Sequence, residues 1–308
     1  MIPIIIPDTQ NSLNVHWTGV ESLFSKANKQ DILKWVKRNE LETLLGSEVN
    51  KQIKNLILAT PSLLRQIANK VGGVLNTKDA QNFNLGFIKT KYNSFTGREE
   101  HLYRPSDLVE NLGIKVCPYC NRTFIISTKR KNGEIKRTDQ LDHFFPKSRY
   151  PYLALCFYNL IPSCSACNHI KKEQEIGLSP YEIERADDVI TFEWKPKDSS
   201  FAYPKGNILI TPTPNTKVNG QMQSNIDAFG LKDLYQNHDD VVKELLLKGE
   251  IYTKEYIDSL VESFPDLIEN EEVATRLITC NYTSEEDLGK RPLAKLTRDI
   301  AREVKFIK

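Results

Sequence analysis

The chain carries two Cys-x-x-Cys pairs, Cys117-Pro118-Tyr119-Cys120 and Cys164-Ser165-Ala166-Cys167. Between the pairs stand Leu141-Asp142-His143-Phe144-Phe145-Pro146-Lys147 and Asn159-Leu160-Ile161-Pro162, and the second pair runs on into Asn168-His169-Ile170-Lys171-Lys172. Each pair puts two thiolates on one tight turn, and two such turns supply the four ligands of a tetrahedral structural Zn²⁺ site. We therefore predict that Cys117, Cys120, Cys164 and Cys167 bind zinc. Four unrelated cysteines are the alternative, and the paired spacing speaks against it.

The 43 residues between Cys120 and Cys164 are too many for a compact zinc ribbon, so this loop must contain structure of its own. Residues 123–128 and 134–141 are predicted strands, joined at Asn132-Gly133, a dipeptide favoured in two-residue hairpin turns. A helix is predicted from about Cys164 to Gln174. A complete shell of thiolates leaves the zinc no open coordination position, so any chemistry must come from other residues.

Asp142 and His143 are the first candidates for that chemistry. A carboxylate oxygen is the ligand that Mg²⁺ prefers, and this ion commonly takes only one or two protein ligands. Histidine is suited to act as a general base near neutral pH. Neighbours in an extended segment point to opposite sides, so one side chain can reach a metal while the other faces an attacking water.

Four further polar residues complete the candidate site. The amide oxygen of Asn168 is a candidate second ligand for the same divalent ion, and His169 is the alternative, because helical neighbours differ by about 100° in direction. Lys171 lies on the same helical face as Asn168 and is predicted to stabilise charge on a phosphate. Asn159 is predicted to hydrogen-bond across the hairpin and hold the backbone that carries His143.

At these positions the sequence resembles the HNH endonuclease family, whose pattern is an Asp-His, a downstream Asn, and an Asn or His beside the second zinc knuckle. The matching residues are Asp142-His143, Asn159, Asn168 and Lys171, over about a fifth of the chain. The resemblance implies a ββα-metal, treble-clef-like core with one catalytic Mg²⁺ or Mn²⁺. It also implies hydrolysis of a nucleic-acid phosphodiester by a water that His143 deprotonates.

Charge is unevenly distributed along the chain. The whole protein has a formal net charge of +2, yet residues 115–172 hold eleven basic and three acidic residues, a net +8. Such a patch attracts a polyanion through counterion release, and double-stranded DNA is the expected substrate. The predicted nucleic-acid contacts are Lys129, Arg130, Lys131, Lys147, Arg149 and Lys172.

The remaining sequence predicts an α+β protein in four segments. Residues 1–112 are a helical region, either a substrate-facing arm or a buttress. Within it, Asp31 is a predicted helix cap, Thr60-Pro61 predicts a helix start, and residues 82–96 are predicted to be irregular, while Gly113 directly after it is predicted to stop a short helix. Residues 113–178 are the nuclease module, 179–222 a small β extension, and 223–308 a helical acidic region in which Gly249 is predicted to end a helix. From 223 to 290 sixteen acidic residues oppose six basic ones, so this part is expected to avoid DNA and contact a protein. By resemblance to HNH proteins of bacterial antiphage defence, that partner would be an ATPase subunit.

The sequence also predicts where the protein is located and leaves a second function open. No apolar run approaches the length needed to span a bilayer, and four zinc-binding cysteines suit the reducing cytoplasm. A zinc-stabilised module that binds nucleic acid or protein without cutting is the competing hypothesis. A lone Asp-His is most often a solvated loop pair, and a lone Asn a turn or cap residue.

Overall fold

The protein is a mixture of helices and small antiparallel sheets, seen in a computed structural model that describes residues 1–74, 86–97, 102–131, 135–198 and 206–305. This confirms the α+β class. By contacts the chain divides into two compact units. The N-terminal unit comprises Ile5–Ile114 and Ile125–Glu175, and the C-terminal unit comprises Met1–Ile4, Lys115–Phe124 and Ile176–Lys308. The four sequence-based segments stay predictions.

The N-terminal unit begins with helices and ends with the strands that carry the Asp-His pair. Its helices are α1 Thr9–Glu21, α2 Lys26–Arg38, α3 Glu42–Leu45, α4 Val49–Ile57, α5 Pro61–Val71, α6 Gly86–Thr96, α7 Pro105–Leu112 and α8 Ser165–Lys171. Its strands are β1 Ser127–Lys129, β2 Ile135–Arg137, β3 Asp139–His143 and β4 Leu160–Cys164. β1 pairs with β2 and β3 with β4, both antiparallel.

The described residues of the C-terminal unit form one two-stranded sheet and six α-helices. β5 Ile190–Pro196 pairs antiparallel with β6 Ile208–Pro214. The helices are α9 Asn219–Phe229, α10 Leu231–Gln236, α11 Asp239–Ile251, α12 Lys254–Ser263, α13 Glu271–Thr279 and α14 Ala294–Glu303. No helix in the described ranges is long and apolar enough to cross a membrane.

Helices of the N-terminal unit hold the loop between β3 and β4 in place. In α1, His16 is fully buried, and its Nε2 lies 2.9 Å from the Leu155 carbonyl oxygen while its Nδ1 lies 3.0 Å from the Tyr103 hydroxyl. Burial lowers the pKa of His16 to about 4, so the ring is neutral at physiological pH. The Cys156 thiol donates to the Leu56 carbonyl oxygen at 3.2 Å. These contacts make the helical region a buttress for that loop.

The hairpin around residues 132–133 is shorter than predicted. Its turn lies outside the described residues, and β1 and β2 pair over three residues each. The ladder stops at Thr138, whose N–H donates to the Ile126 carbonyl oxygen and whose hydroxyl accepts from the Ile126 N–H. From Asp139 onward the chain pairs with β4 instead. The predicted single return strand is therefore two strands with different partners.

Asn121, directly after the first Cys-x-x-Cys pair, anchors that turn within the C-terminal unit. Its φ of 49° is left-handed, a conformation that asparagine tolerates better than most residues. Its side chain accepts from the Lys295 N–H at 2.9 Å and donates to the Leu288 carbonyl oxygen at 3.0 Å. Because Asn121 is fully buried, these bonds satisfy an amide that would otherwise be costly to bury.

Candidate metal cluster and cleft

The four cysteines of the two pairs come together as predicted. The Sγ atoms of Cys117, Cys120, Cys164 and Cys167 all lie within 4.8 Å of one another, and all four residues are buried. Four soft sulfur ligands at this spacing fit a tetrahedral Zn²⁺ ion, and the set leaves no position for a substrate. The cluster can therefore hold a structural zinc. In the described ranges, no other group of three or more His, Cys, Asp or Glu residues is arranged to hold a metal.

The Asp-His pair lies in an antiparallel hairpin followed at once by a helix. In the β3–β4 ladder Asp142 faces Ile161 and His143 faces Leu160. β4 ends at Cys164, and α8 begins at the next residue. Two strands and a helix thus follow one another, with the Asp-His pair at the end of the first strand and the second cysteine pair at the start of the helix.

A cleft of about 750 Å³ opens between these elements in the N-terminal unit. Asp142, His143 and Asn168, which the sequence predicted to act together, all line it. The lining also includes Gln140, Leu141, Pro146, Lys147, Ser148, Ser165, Ala166, His169, Lys172 and Glu173. The structure therefore brings the predicted base and both candidate metal ligands to one solvent-accessible space, with His169 beside them.

His143 is oriented by one hydrogen bond and one aromatic contact. Its Nε2 lies 3.0 Å from the Ala154 carbonyl oxygen, and because a carbonyl can only accept, we assign the ring proton to Nε2 and the lone pair to Nδ1. The Tyr92 ring of α6 packs edge-on against the imidazole, with centroids 4.6 Å apart. Burial, reinforced by the Lys147 ammonium, lowers the pKa of His143 to about 3. The ring is therefore neutral at pH 7, with its lone pair on Nδ1.

Asn159 holds the turn that leaves His143. It is fully buried, and its Oδ1 accepts from the Phe145 N–H at 2.7 Å. Its Nδ2 donates to the carbonyl oxygens of Phe145 at 3.2 Å and Leu153 at 2.9 Å. Both the oxygen and the nitrogen of this side chain thus hydrogen-bond to backbone groups that follow His143 in the chain. The sequence predicted such bonds across the hairpin. Asn159 does not line the cleft.

Lys171 lies behind the cleft and not in it. The side chain is fully buried, and its Nζ lies 3.3 and 3.2 Å from the two carboxylate oxygens of Asp142 and 2.8 Å from the His143 carbonyl oxygen. Lys171 is thus bonded to Asp142 and does not line the cleft, and its predicted stabilisation of phosphate charge stays a prediction. The buried ammonium of Lys171, in the last turn of α8, pairs with the Asp142 carboxylate on β3, and this contact fixes the helix against that strand.

We expect Lys171→Met to destabilise the N-terminal unit by about 3–5 kcal/mol, because it leaves the buried Asp142 carboxylate without its cation. Urea unfolding of the variant measures the loss. Lys172→Met is the matched control, since this neighbouring side chain is exposed and its loss should cost less than about 0.5 kcal/mol. Equal unfolding midpoints for the two variants would contradict the structural role of Lys171.

The predicted nucleic-acid contacts are dispersed. Lys147 and Lys172 line the cleft, and the Lys147 ammonium also lies 4.3 Å from the centre of the Tyr92 ring. Arg149 pairs with Glu175 at 2.6 Å and is not among the lining residues. Arg130 and Lys131 are exposed near the β1–β2 turn, while the Lys129 side chain lies outside the described part of the chain.

Sequence reasoning missed two residues of this site. Gln140 stands two positions before Asp142 on β3, and its Oε1 accepts from the Asn168 Nδ2 at 2.5 Å. With the amide nitrogen held in this way, the Asn168 Oδ1 is the atom left for an ion. Strand alternation from Asp142 could have found Gln140. Nothing in the local sequence connects Tyr92 with His143, since the two stand about fifty residues apart.

Comparison with known proteins gives little further information. No model of a known protein family matches the chain, and no solved structure matches it. The curated protein described as "Protein ea31" of Escherichia phage lambda is 35% identical over 72 residues. That stretch covers 23% of this chain and only 20% of the phage protein. The likeness is too short to show a family.

Proposed function

We propose that this protein is a metal-dependent endonuclease of the HNH type that hydrolyses phosphodiester bonds of nucleic acid, with double-stranded DNA as the substrate. The observation that carries the proposal is the shared cleft of Asp142, His143 and Asn168. A strand, a strand and a helix present these three residues in the order that the HNH resemblance implies. The four-cysteine cluster would be the structural zinc of this ββα-metal core.

His143 would act as the general base. Its Nε2 is held by the Ala154 carbonyl oxygen, so Nδ1 carries the lone pair that takes a proton from the attacking water. Asn159 fixes the backbone on the C-terminal side of His143, and Lys171 bonds the carbonyl oxygen of His143 itself. Both residues would position the base without touching substrate.

The Asp142 carboxylate and the Asn168 amide oxygen would hold the catalytic Mg²⁺ or Mn²⁺. Both are hard oxygen donors, and so few protein ligands suit an ion that keeps several waters. When bound, such an ion polarises the phosphate and stabilises the leaving oxygen. His169 also lines the cleft, so it stays the alternative ligand.

The charge pattern supports a nucleic-acid substrate. Residues 115–172 carry a net +8, and Lys147 and Lys172 line the cleft itself. Ammonium groups there can contact phosphates on either side of the scissile bond, and the surrounding charge draws a polyanion toward the site.

A cytoplasmic role in bacterial antiphage defence, with an ATPase partner bound by the acidic residues 223–308, completes the proposal. This part rests on the HNH resemblance and on the local excess of acidic residues. Co-purification of the chain with its partner from cells tests it.

Incubation of supercoiled plasmid with the purified protein tests the activity. Nicked or linear DNA should form with Mg²⁺ or Mn²⁺ and not when the divalent ion is omitted. Omission is preferable to a strong chelator, which would also attack the zinc. The same gel separates nicking from double-strand cutting.

A non-cleaving, zinc-stabilised binding module is the competing function. It is favoured by one observation, that Lys171 already neutralises Asp142. Intact plasmid and intact RNA under every metal condition, together with a retained gel shift, would establish that function and overturn the nuclease.

A further inference from the structure

Three cations surround a single tyrosine in the C-terminal unit. The guanidinium carbons of Arg276 and Arg291 lie 5.4 and 5.0 Å from the centre of the Tyr282 ring, and the Lys290 ammonium lies 5.1 Å from it. Each contact is attractive but weak at an exposed site. The three positive groups repel one another, however, and the ring carries no net charge to offset that repulsion.

The backbone that carries these residues is well anchored. α13 ends at Thr279 and is followed by its C-cap Cys280, whose φ of 58° is left-handed. The Arg291 guanidinium donates to the Cys280 carbonyl oxygen at 2.9 Å. The buried Asn281 accepts from the Tyr282 N–H at 2.9 Å and donates to the Pro292 carbonyl oxygen at 2.9 Å. The cation cluster is therefore held by bonds at both ends of the connection between α13 and α14.

Carboxylates neutralise only part of the cluster. Lys290 pairs with Asp287 at 2.6 Å, and this hydrogen bond raises the pKa of Lys290. Neither Arg276 nor Arg291 makes an ion pair with a carboxylate among the described residues. Two guanidinium groups beside the Tyr282 ring thus remain without a carboxylate partner, in a stretch whose net charge is strongly negative.

We propose that Arg276, Lys290, Arg291 and Tyr282 form a second nucleic-acid contact that binds the phosphate backbone of a strand. The planar guanidinium groups match phosphate geometry bidentately, and the Tyr282 ring gathers the three cations around it. The anion site follows from the cluster alone, whereas naming nucleic acid as its ligand rests on the proposed function. None of these residues lines the cleft.

The proposal departs from the expectation that residues 223–290 avoid DNA. That expectation came from counting sixteen acidic against six basic residues along the chain. A count gives every charge equal weight, but a phosphate responds to the charges within about a Debye length, roughly 8 Å at physiological salt. Folding brings Arg276 to the same tyrosine ring as Lys290 and its sequence neighbour Arg291, which lies just outside the counted range.

Binding of a fluorescent oligonucleotide duplex, measured by anisotropy over a range of salt concentrations without divalent ions, tests the proposal. The triple variant Arg276→Gln/Lys290→Gln/Arg291→Gln should bind about tenfold more weakly for each lost phosphate contact at about 0.1 M salt. Its slope of log K against log salt should fall by about 2–3. The matched control, Lys195→Gln/Lys217→Gln/Lys232→Gln, removes the same charge from exposed sites in the same unit and should keep the wild-type slope.

Two tyrosine variants test the organising role of the ring. Tyr282→Phe keeps the negative ring face and should bind as wild type does, whereas Tyr282→Ala should lose part of the affinity. Equal weakening in the triple variant and its control, or no weakening in either, would overturn the proposal. The anisotropy assay measures binding and not cleavage, so a protein that does not cut plasmid can still show the predicted difference between the triple variant and its control. Failure of the proposed nuclease activity and failure of the second nucleic-acid contact are therefore distinguishable.

Discussion

Replacing Cys164 with serine should remove the bound zinc and leave the protein largely unfolded. The four Sγ atoms are buried and lie within 4.8 Å of one another, so three remaining thiolates cannot complete the shell. A structural zinc contributes on the order of 10–16 kcal/mol to folding, more than the whole stability of a typical domain. Zinc content by mass spectrometry and the melting transition by circular dichroism measure the effect.

Cys280→Ser is the matched control for this substitution. Cys280 is exposed and lies outside the cluster, so its variant should keep one zinc per chain and the wild-type melting temperature. Retention of stoichiometric zinc and of a normal melting transition in Cys164→Ser would show that the cluster is not a four-thiolate zinc site.

His143→Ala should lower the rate of divalent-dependent plasmid cleavage by about 10²–10⁴-fold, the usual contribution of a general base. The reason is that His143 lines the cleft and that its Nε2 bonds to the Ala154 carbonyl oxygen, which leaves Nδ1 as the nitrogen with the lone pair. Removal of a buried ring that packs on Tyr92 also costs some stability. Zinc content and melting temperature must therefore be measured on the same preparation, and the rates compared well below the variant's transition.

Two variants of α8 test which residue is the second ligand of the divalent ion. Asn168→Ala should reduce cleavage and raise the concentration of Mg²⁺ needed, because it removes the proposed second oxygen ligand, while His169→Ala should change both little. The reverse pattern would assign the ligand to His169. Wild-type cleavage by His143→Ala would remove the proposed mechanism.

Several local predictions were confirmed because short-range chemistry decides them. Thr60-Pro61 predicted a helix start, and α5 begins at Pro61 with the Thr60 hydroxyl accepting from the Leu63 N–H. Gly113 was predicted to stop a helix, and α7 ends there with Gly113 in the left-handed conformation. Caps and stop signals of this kind depend on a few neighbouring residues, so they can be read before the fold is known.

Other helix predictions were wrong where tertiary contacts overrode local signals. Gly249 was predicted to end a helix, yet α11 continues through it to Ile251. A Cβ at Gly249 would lie 2.7 Å from the Val304 side chain, so this glycine permits close packing and is not a stop. Residues 82–96 were predicted to be irregular; 82–85 lie outside the described ranges, and 86–96 form α6. The predicted cap at Asp31 is also wrong, since Ser25 caps α2.

The sequence by itself determined the four-cysteine cluster and the hydrogen bonding of Asn159 across the hairpin. It also identified Asp142, His143 and Asn168 as candidate residues of one site. Ligand spacing and hydrogen-bonding capacity depend on residue type and on separation along the chain, so they can be recognised before the tertiary structure is known. Only the tertiary structure decided that Lys171 is buried against Asp142, that Tyr92 packs on His143, and that Arg276 meets Arg291 around Tyr282. Each of these depends on which distant elements pack together, and that follows from burial over the whole chain and not from any short pattern.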